Sequence, residues 1–204
     1  MSKSVIIIGA SGHGKVVADI ILCAGDLVLG FLDDNRRPGD SHIGFPILGR
    51  VEDYKNYPDA WFVIAIGNAS VRVKISAALE GVRWYTAVHP AAVVSPLETS
   101  IGEGSVVMAG AVVNPSAQIG RHCIINSASV VEHDNRIADF VHISVGAKLA
   151  GSVTIGRQTW VGIGAVVSNG LKICAGCTIG AGCVVVNDIQ APGTYVGVPA
   201  RKIK

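Results

Sequence analysis

The sequence lacks long apolar runs, has little charge and contains no cluster of basic residues. Charged residues make up 16% of the 204 residues, and the formal net charge is only +2. Mean hydropathy is high, at +0.47, but glycine, asparagine or a charged residue interrupts every apolar run well before the roughly 20 residues that a membrane-spanning helix needs. We therefore expect no membrane span and no nucleic-acid partner.

The sequence also shows no secretion signal and no disulfide framework. The first apolar stretch, VIIIGA, is shorter than the apolar core of a signal peptide, and no small-residue cleavage site follows it. The five cysteines are an odd number, and nothing in the sequence indicates an oxidising compartment. We expect reduced thiols and a cytoplasmic protein.

A strict six-residue repeat runs through the second half of the chain. Every sixth residue from Ile101 to Val185 is aliphatic, fifteen positions without an interruption. The fifth position of each unit is mostly small, as at Ala111, Cys123 and Ala165. A period of six is neither helical nor simply alternating, and it is typical of a parallel β-helix in which three units form one coil. Residue n should then lie over residue n+18, about 4.8 Å away.

The first 90 residues predict a different, α/β fold. The apolar stretches VIII, VLGFL and WFVI alternate with helical stretches that end near Cys23 and cover Val71 to Leu79, and VRWYTAVHP predicts a last strand. This order favours a small, doubly wound parallel sheet of Rossmann-like type. We therefore divide the chain into an α/β domain, residues 1–90, and a β-helix domain, residues 91–204.

In a doubly wound sheet, ligands bind beyond the carboxyl ends of the strands. The loop GASGHG follows the first strand, and backbone amides at the start of the next helix suit a phosphate. An acidic pair after the second strand suits ribose or sugar hydroxyls. The glycines also suit a tight turn alone, the histidine also suits a helix cap, and the acidic pair also suits a turn. These purely structural alternatives stay open. The predicted substrate-binding residues are Ser11, Gly12, His13, Asp33, Asp34, Gly67 and Asn68.

One histidine of the β-helix lies between two carboxylates, in the stretch Glu132-His133-Asp134. His133 is third in its six-residue unit and should face outward, one coil above Gly151. A carboxylate beside an imidazole favours the protonated form, which makes the imidazole a stronger base. The backbone amide of Gly151 is a candidate donor to an oxyanion. The competing interpretation is a solvated surface histidine without a function.

Seven stretches together resemble one known family: GASGHGKVV, FLDD, IAIGN, EHD, FVHISVGAKLAG, VTIG and VGVPA. The sequence is similar to hexapeptide-repeat acetyltransferases of the sialic acid O-acetyltransferase and UDP-4-amino-sugar N-acetyltransferase (bacillosamine-pathway) family. The resemblance implies a left-handed β-helix, a homotrimer with acetyl-CoA sites between subunits, and a sugar-nucleotide-binding N-terminal domain. It also implies that His133 is the general base and Asp134 the acid that tunes it, although some members carry glutamate there.

The same resemblance implies that Asn126 and His142 lie near acetyl-CoA. An ordinary turn amide and a structural histidine between subunits are the respective alternatives. Small outward positions would border the path of the acetyl donor. The predicted acetyl-CoA-binding residues are Asn126, His142, Gly151, Gly164 and Ala181.

The implied reaction is acetyl transfer from acetyl-CoA to the 4-amino group of a UDP-linked amino-dideoxy sugar. We expect direct transfer, because no nucleophile stands beside a base. The alternatives are O-acetylation of sialic acid or a related sugar and, at lower weight, a non-catalytic sugar-nucleotide-binding protein.

The histidines and cysteines of the β-helix also raise the question of a metal site. The spacing of His122, His133 and His142 does not resemble the closely paired zinc-binding histidines of β-helical carbonic anhydrases. Cys174 and Cys177 form half of a metal or redox motif, but no second pair exists. We therefore expect no metal.

Overall fold

The computed structural model describes residues 2–203, and the chain forms two compact units, Met1–Pro90 and Ala91–Lys204. None of the helices in the described range is long and apolar enough to cross a lipid bilayer. Each unit has its own sheet architecture and its own apolar core.

The first unit is an α/β domain with a mostly parallel sheet. Its elements are β1 (Ser4–Ile8), α1 (Gly12–Cys23), β2 (Leu27–Leu32), β3 (Ser41–His42), β4 (Phe45–Gly49), a 3₁₀ helix η1 (Val51–Asn56), β5 (Trp61–Ile64), α2 (Ala69–Ala78), β6 (Arg83–Trp84) and β7 (Ala87–Val88). The parallel strands lie in the order β4-β2-β1-β5-β6, and β3 pairs antiparallel with β4. The strand order therefore reverses between β1 and β5, which is where open α/β sheets bind ligands.

The central strand β1 explains the apolar start of the sequence. Four consecutive residues, from Val5 to Ile8, are fully buried. A strand covered on both faces needs apolar residues at successive positions, whereas a half-exposed strand alternates. On one face, α1 contributes the buried side chains of Val17, Ile20 and Ile21.

The predicted α/β class is confirmed, but several elements differ from the sequence prediction. The stretch VRWYTAVHP forms two short strands, β6 and β7, instead of one. Helix α2 begins and ends slightly earlier than predicted. The β3–β4 hairpin was not predicted, because Pro46 lies inside β4 and a proline argues against a strand unless that strand is at an edge or irregular.

The second unit is the predicted parallel β-helix with three faces of stacked strands. One face holds β8 (Val93–Val94), β11 (Val112–Val113), β14 (Val130–Val131), β17 (Lys148–Leu149), β20 (Val166–Val167) and β23 (Val184–Val185). A second holds β9 (Ser100–Ile101), β12 (Gln118–Ile119), β15 (Arg136–Ile137), β18 (Thr154–Ile155) and β21 (Lys172–Ile173). The third includes β10 (Val106–Val107), β13 (Ile124–Ile125), β16 (His142–Ile143), β19 (Trp160–Val161), β22 (Cys177–Ile179), β24 (Gly193–Val196) and β25 (Arg201–Lys202).

The register of the coils matches the sequence period. Val113 pairs with Val131, and Val131 pairs with Leu149, so residue n lies over residue n+18. Fourteen of the fifteen periodic aliphatic residues are buried, and Ile101 in the first coil is partly exposed. The period breaks at the first coil, where Val113 pairs with Val94, because this coil contains one extra residue.

Candidate active site

A turn after β14 carries the histidine that lies between two carboxylates. Asp134 adopts a left-handed backbone conformation (φ 59°), which aspartate tolerates better than most residues. The Nδ1 atom of His133 lies 2.7 Å from Oδ2 of Asp134, and the imidazole is exposed. The hydrogen bond to Asp134 raises the pKa of His133, and the charges of Asp134 and Glu132 act in the same direction. A carboxylate at Nδ1 favours the tautomer whose Nε2 is free to accept a proton.

The imidazole of His133 lies directly over Gly151 in the next coil. A Cβ atom at position 151 would be 2.5 Å from Nε2 and 2.6 Å from Cε1 of His133. The Ser152 amide donates to the His133 carbonyl at 2.9 Å, which fixes the stacking of the two turns. Only glycine leaves room for the ring in this position. The outward orientation of His133 and its place above Gly151 agree with the sequence prediction.

Asn135, which was not predicted from the sequence, joins the two turns of this site. Asn135 is fully buried, and its Nδ2 donates to the carbonyls of Glu132 (2.6 Å) and Ala150 (3.0 Å). Its Oδ1 accepts a hydrogen bond from the Val153 amide at 2.9 Å. The only sequence signal was an asparagine at the usually small fifth position of its unit.

A second polar pair lies on a different face of the β-helix. Nδ2 of Asn126 lies 3.0 Å from Nε2 of His142, so the structure brings these two predicted residues together. The His142 ring stacks on Trp160, one coil further along, with ring centroids 6.1 Å apart. Trp160 is about half exposed and was not predicted from the sequence. Within one chain, this pair and His133 are on separate faces.

The remaining predicted acetyl-CoA residues, Gly164 and Ala181, are both exposed. Gly164 has a left-handed backbone (φ 63°), and a Cβ at this position would meet nothing within 4 Å. Its glycine therefore suits the turn conformation and leaves open space beside it.

The three β-helix histidines do not converge within the described chain. His122 is buried and stacks on Phe140 at 15° and 5.2 Å, in contrast to the exposed His133. Among residues 2–203, the one group of three side chains that could hold a metal ion lies elsewhere, in the first unit.

Cys174 and Cys177 have their sulfur atoms 3.4 Å apart, and burial raises the pKa of Cys177 to about 12. A thiol with such a pKa stays protonated near neutrality, which fits a packing role.

The glycine loop between β1 and α1 contains glycines with two different roles. A Cβ at Gly14 would be 2.3 Å from the Gly9 carbonyl oxygen, and Gly9 itself has a φ of +109°. These two glycines make the tight turn from strand to helix. A Cβ at Gly12, by contrast, would meet nothing within 4 Å. The protein's own packing therefore does not require glycine at position 12.

His13 is neutral and mostly enclosed at the start of α1. Burial, with the charge of Arg72 acting in the same direction, lowers the pKa of His13 to about 4. Its Nε2 is buried and has no hydrogen-bond partner among residues 2–203. Ser11, not His13, is the residue at the N-cap of α1, and its side chain makes no capping hydrogen bond.

Residues after β5 complete the same edge of the sheet. The Asn68 side chain caps α2 by accepting from the Val71 amide at 3.1 Å. Arg72 is almost completely buried, and its Nη1 donates to the carbonyls of Ile66 (3.0 Å) and Gly67 (2.7 Å). Arg72 thus holds the loop that faces the glycine loop across the strand-order reversal. No sequence signal indicated this role, because a helical pattern does not show which side chain turns back to the loop that precedes the helix.

The acidic pair after β2 makes hydrogen bonds to the backbone. Asp33 accepts from the Ala10 amide at 2.7 Å, which ties the glycine loop to the end of β2. Asp34 accepts from the Val51 amide at 3.0 Å. Each carboxylate keeps further acceptor sites for a ligand hydroxyl.

Asp34 also lines a cavity of about 470 Å³ in the first unit. Three cationic side chains, Arg50, Lys55 and Lys74, line the same cavity. The carboxylates of Asp34 and Glu52 also line it and lie 3.8 and 3.6 Å from Arg50, so the charges largely compensate one another. Asp34 is the one predicted substrate residue among its lining residues.

Family models match both units. The PglD N-terminal domain model matches residues 4–79, and the model for the bacterial transferase hexapeptide (six repeats) matches residues 98–133. The first match lies within the α/β unit, and the second covers part of the β-helix.

Two similar proteins are named as N-acetyltransferases. GDP-perosamine N-acetyltransferase from Escherichia coli O157:H7 is 34% identical over 169 residues, which cover 78% of this chain and 76% of that protein. UDP-N-acetylbacillosamine N-acetyltransferase from Bacillus subtilis (strain 168) is 41% identical over 113 residues, 52% of each chain.

A solved structure has the same fold as this chain. The acetyltransferase domain of PglB from Neisseria gonorrhoeae FA1090, in complex with acetyl coenzyme A, covers 100% of both chains with 38% identity and a TM-score of 0.93. By its fold, its two domain matches and these relatives, the chain belongs to the hexapeptide-repeat N-acetyltransferases with a PglD-type N-terminal domain.

Proposed function

We propose that this protein transfers an acetyl group from acetyl-CoA to the 4-amino group of a nucleotide-linked amino-dideoxy sugar, with UDP as the nucleotide. The observation that carries this proposal is the pair of His133 and Asp134 held over Gly151 on the scaffold of an N-acetyltransferase family. The names of the similar proteins support an amino sugar as the acceptor, and they include both GDP-linked and UDP-linked substrates.

His133 acts as the general base in this reaction. The amine nitrogen attacks the thioester carbonyl carbon, and Nε2 of His133 accepts the proton that the nitrogen loses. The C–S bond of the tetrahedral intermediate then breaks, which gives the amide and CoA thiolate, and His133 returns its proton to the sulfur. The hydrogen bond between Nδ1 and Asp134 stabilises the imidazolium between these two steps. We assign the oxyanion to the backbone amide of Gly151.

The first unit binds the nucleotide part of the sugar substrate. Gly12 and His13 lie after β1, and Gly67 and Asn68 after β5, so they flank the point where the strand order reverses. The amides at the start of α1 suit a phosphate. The buried Nε2 of His13 without a protein partner supports a ligand at this edge. We also assign Ser11 and the remaining acceptor sites of the acidic pair after β2 to the nucleotide-linked sugar.

The enzyme works as a homotrimer in a reducing, cytoplasmic environment. Large apolar side chains of the β-helix are exposed in a single chain, with Ile163 at 57%, Trp160 at 48% and Val145 at 43%. Such side chains mark an interface when they lie together on one surface. Acetyl-CoA binds between subunits, where Asn126 and His142 of one protomer approach His133 of its neighbour.

A thiol-release assay with acetyl-CoA tests the reaction and the acceptor. The panel contains a UDP-linked 4-amino-4,6-dideoxy sugar, GDP-perosamine and free sialic acid. We expect CoA release with the UDP sugar and a product heavier by one acetyl group in mass spectrometry. Faster CoA release with GDP-perosamine would replace UDP by GDP as the nucleotide of the substrate. Release with sialic acid alone would replace N-acetylation by O-acetylation. Binding of the nucleotide sugar without any CoA release would favour a non-catalytic protein.

Replacing Asp134 with asparagine should change the pH dependence in a predictable direction. The base works only as neutral imidazole, and the hydrogen bond to Asp134 raises the pKa of His133. In Asp134→Asn the acidic limb of kcat/KM should therefore move to lower pH, and the plateau should fall because the base is weaker. Glu132→Gln is the matched control, since Glu132 affects the pKa through its charge alone and should give a smaller shift. An unchanged limb in Asp134→Asn would contradict the assignment.

A further inference from the structure

Three side chains of different chemistry meet at the end of α1. Asp19, Cys23 and His89 each present one ligand atom, and these atoms all lie within 4.8 Å of one another. The carboxylate and the thiol are exposed, and His89 is half-buried. None of the three belongs to the residues proposed for acetyl transfer or nucleotide binding.

The backbone holds these three residues in place. Asp19 and Cys23 are four residues apart on α1, so they lie on one face of the helix, about one turn from each other. His89 follows β7 and precedes Pro90, and the residue before a proline is restricted to an extended conformation. Two of the ligands lie on a helix and one on a restricted segment, so metal binding would cost little backbone conformational entropy.

The donor set selects the class of metal. A thiolate and an imidazole are ligands for zinc and neighbouring transition metals, whereas magnesium and calcium need oxygen ligands. Zinc bond lengths of about 2.0–2.3 Å with tetrahedral angles place ligand atoms roughly 3.3–3.7 Å apart. The ligand atoms are at most 4.8 Å apart in the structure, so the exposed side chains of Asp19 and Cys23 need to close by no more than about 1.5 Å, which rotamer changes provide.

We propose that Asp19, Cys23 and His89 bind one zinc ion, with water as the fourth ligand. Binding replaces the thiol proton of Cys23, which is released to solvent, and the carboxylate and thiolate together balance the two charges of the ion. The ion links the last turns of α1 to the segment after β7. Because zinc binds the folded unit, it should stabilise that unit against unfolding, and it takes no part in acetyl transfer.

Equilibrium dialysis against Zn²⁺ tests this site on full-length protein without an affinity tag. The protein is first stripped with a chelator, and metal content is then measured per chain. We expect one zinc ion per chain. The loss of an outer-shell partner lowers metal affinity by about 10–100-fold. Cys23→Ser and His89→Gln each remove a direct ligand, so each should lower zinc affinity by more than that. Co²⁺ should give a thiolate-to-metal charge-transfer band in the wild-type protein that disappears in Cys23→Ser.

Cys174→Ser is the matched control, because Cys174 and Cys177 form a close thiol pair outside the proposed site. This variant should keep both the zinc stoichiometry and the cobalt band. Wild-type protein that binds no zinc would overturn the proposal, as would binding that survives in Cys23→Ser or disappears in Cys174→Ser. Melting curves of the metal-free variants show whether each is folded, and Asp19→Asn provides a third test at an exposed position. Acetylation rates should be equal with and without zinc, so failure of this proposal is distinguishable from failure of the proposed reaction.

Discussion

Replacing His133 with alanine is expected to lower kcat by about 10²–10⁴-fold, the usual contribution of a general base. The Michaelis constants should change little, because the imidazole acts on the proton that the amine loses in the transition state. The fold should persist, since the side chain is exposed and contributes nothing to the apolar core. Steady-state kinetics with acetyl-CoA and the amino-sugar nucleotide measure the effect.

The pH profile separates a base from a merely structural residue. In His133→Ala the residual rate should lose the acidic limb that reports protonation of the imidazole. His122→Asn is a contrasting variant, because His122 is buried against Phe140 and its loss should affect stability more than the pH profile. Acetylation at the wild-type rate in His133→Ala would remove His133 as the base.

Replacing Gly151 with alanine should reduce kcat by about 10²-fold, the effect of displacing a reacting group by about 1 Å. The added methyl group would be 2.5 Å from Nε2 of His133, so the ring must move. Because the ring is the far end of an exposed side chain, it moves without disturbing the core, and the melting temperature should stay near that of the wild type. Alanine keeps the backbone amide at position 151, so the loss would report the position of the base and not the loss of an oxyanion donor.

A double-mutant cycle tests whether Gly151 acts through His133. In the His133→Ala background, Gly151→Ala should cause almost no further loss, because no ring remains to be displaced. Two fully additive losses would show that Gly151 acts separately, for example through acetyl-CoA binding. Full activity of Gly151→Ala would contradict the close packing of the ring on this glycine.

The β-helix could be predicted almost completely from the sequence, because its core repeats along one dimension. Each six-residue unit places one aliphatic side chain inside, so the period alone gives the coil length and the n+18 register. The same register predicted that His133 lies over Gly151, which the structure shows. The extra residue in the first coil was not predicted, since it lies before the regular repeat begins.

The α/β unit was predicted less completely, because its contacts are less local. Buried strands such as β1 have a clear apolar signal. Strand β4 contains Pro46, and its apolar pattern is less clear. His42, on the short strand β3, packs on Phe31 and lies 3.3 Å from the Ser11 carbonyl, so it supports the glycine loop from a distant position. No periodicity connects residue 42 with residue 11.

The sequence by itself determined the two fold classes, the coil register and the outward position of His133, because these follow from periodic burial along the chain. Only the tertiary structure decided which distant segments meet through their side chains: Asn135 between two coils, Arg72 folded back on the loop after β5, and His89 beside α1. Residue types do not encode such contacts locally, since each depends on the distance between segments that become neighbours only when the sheet and the coils have formed.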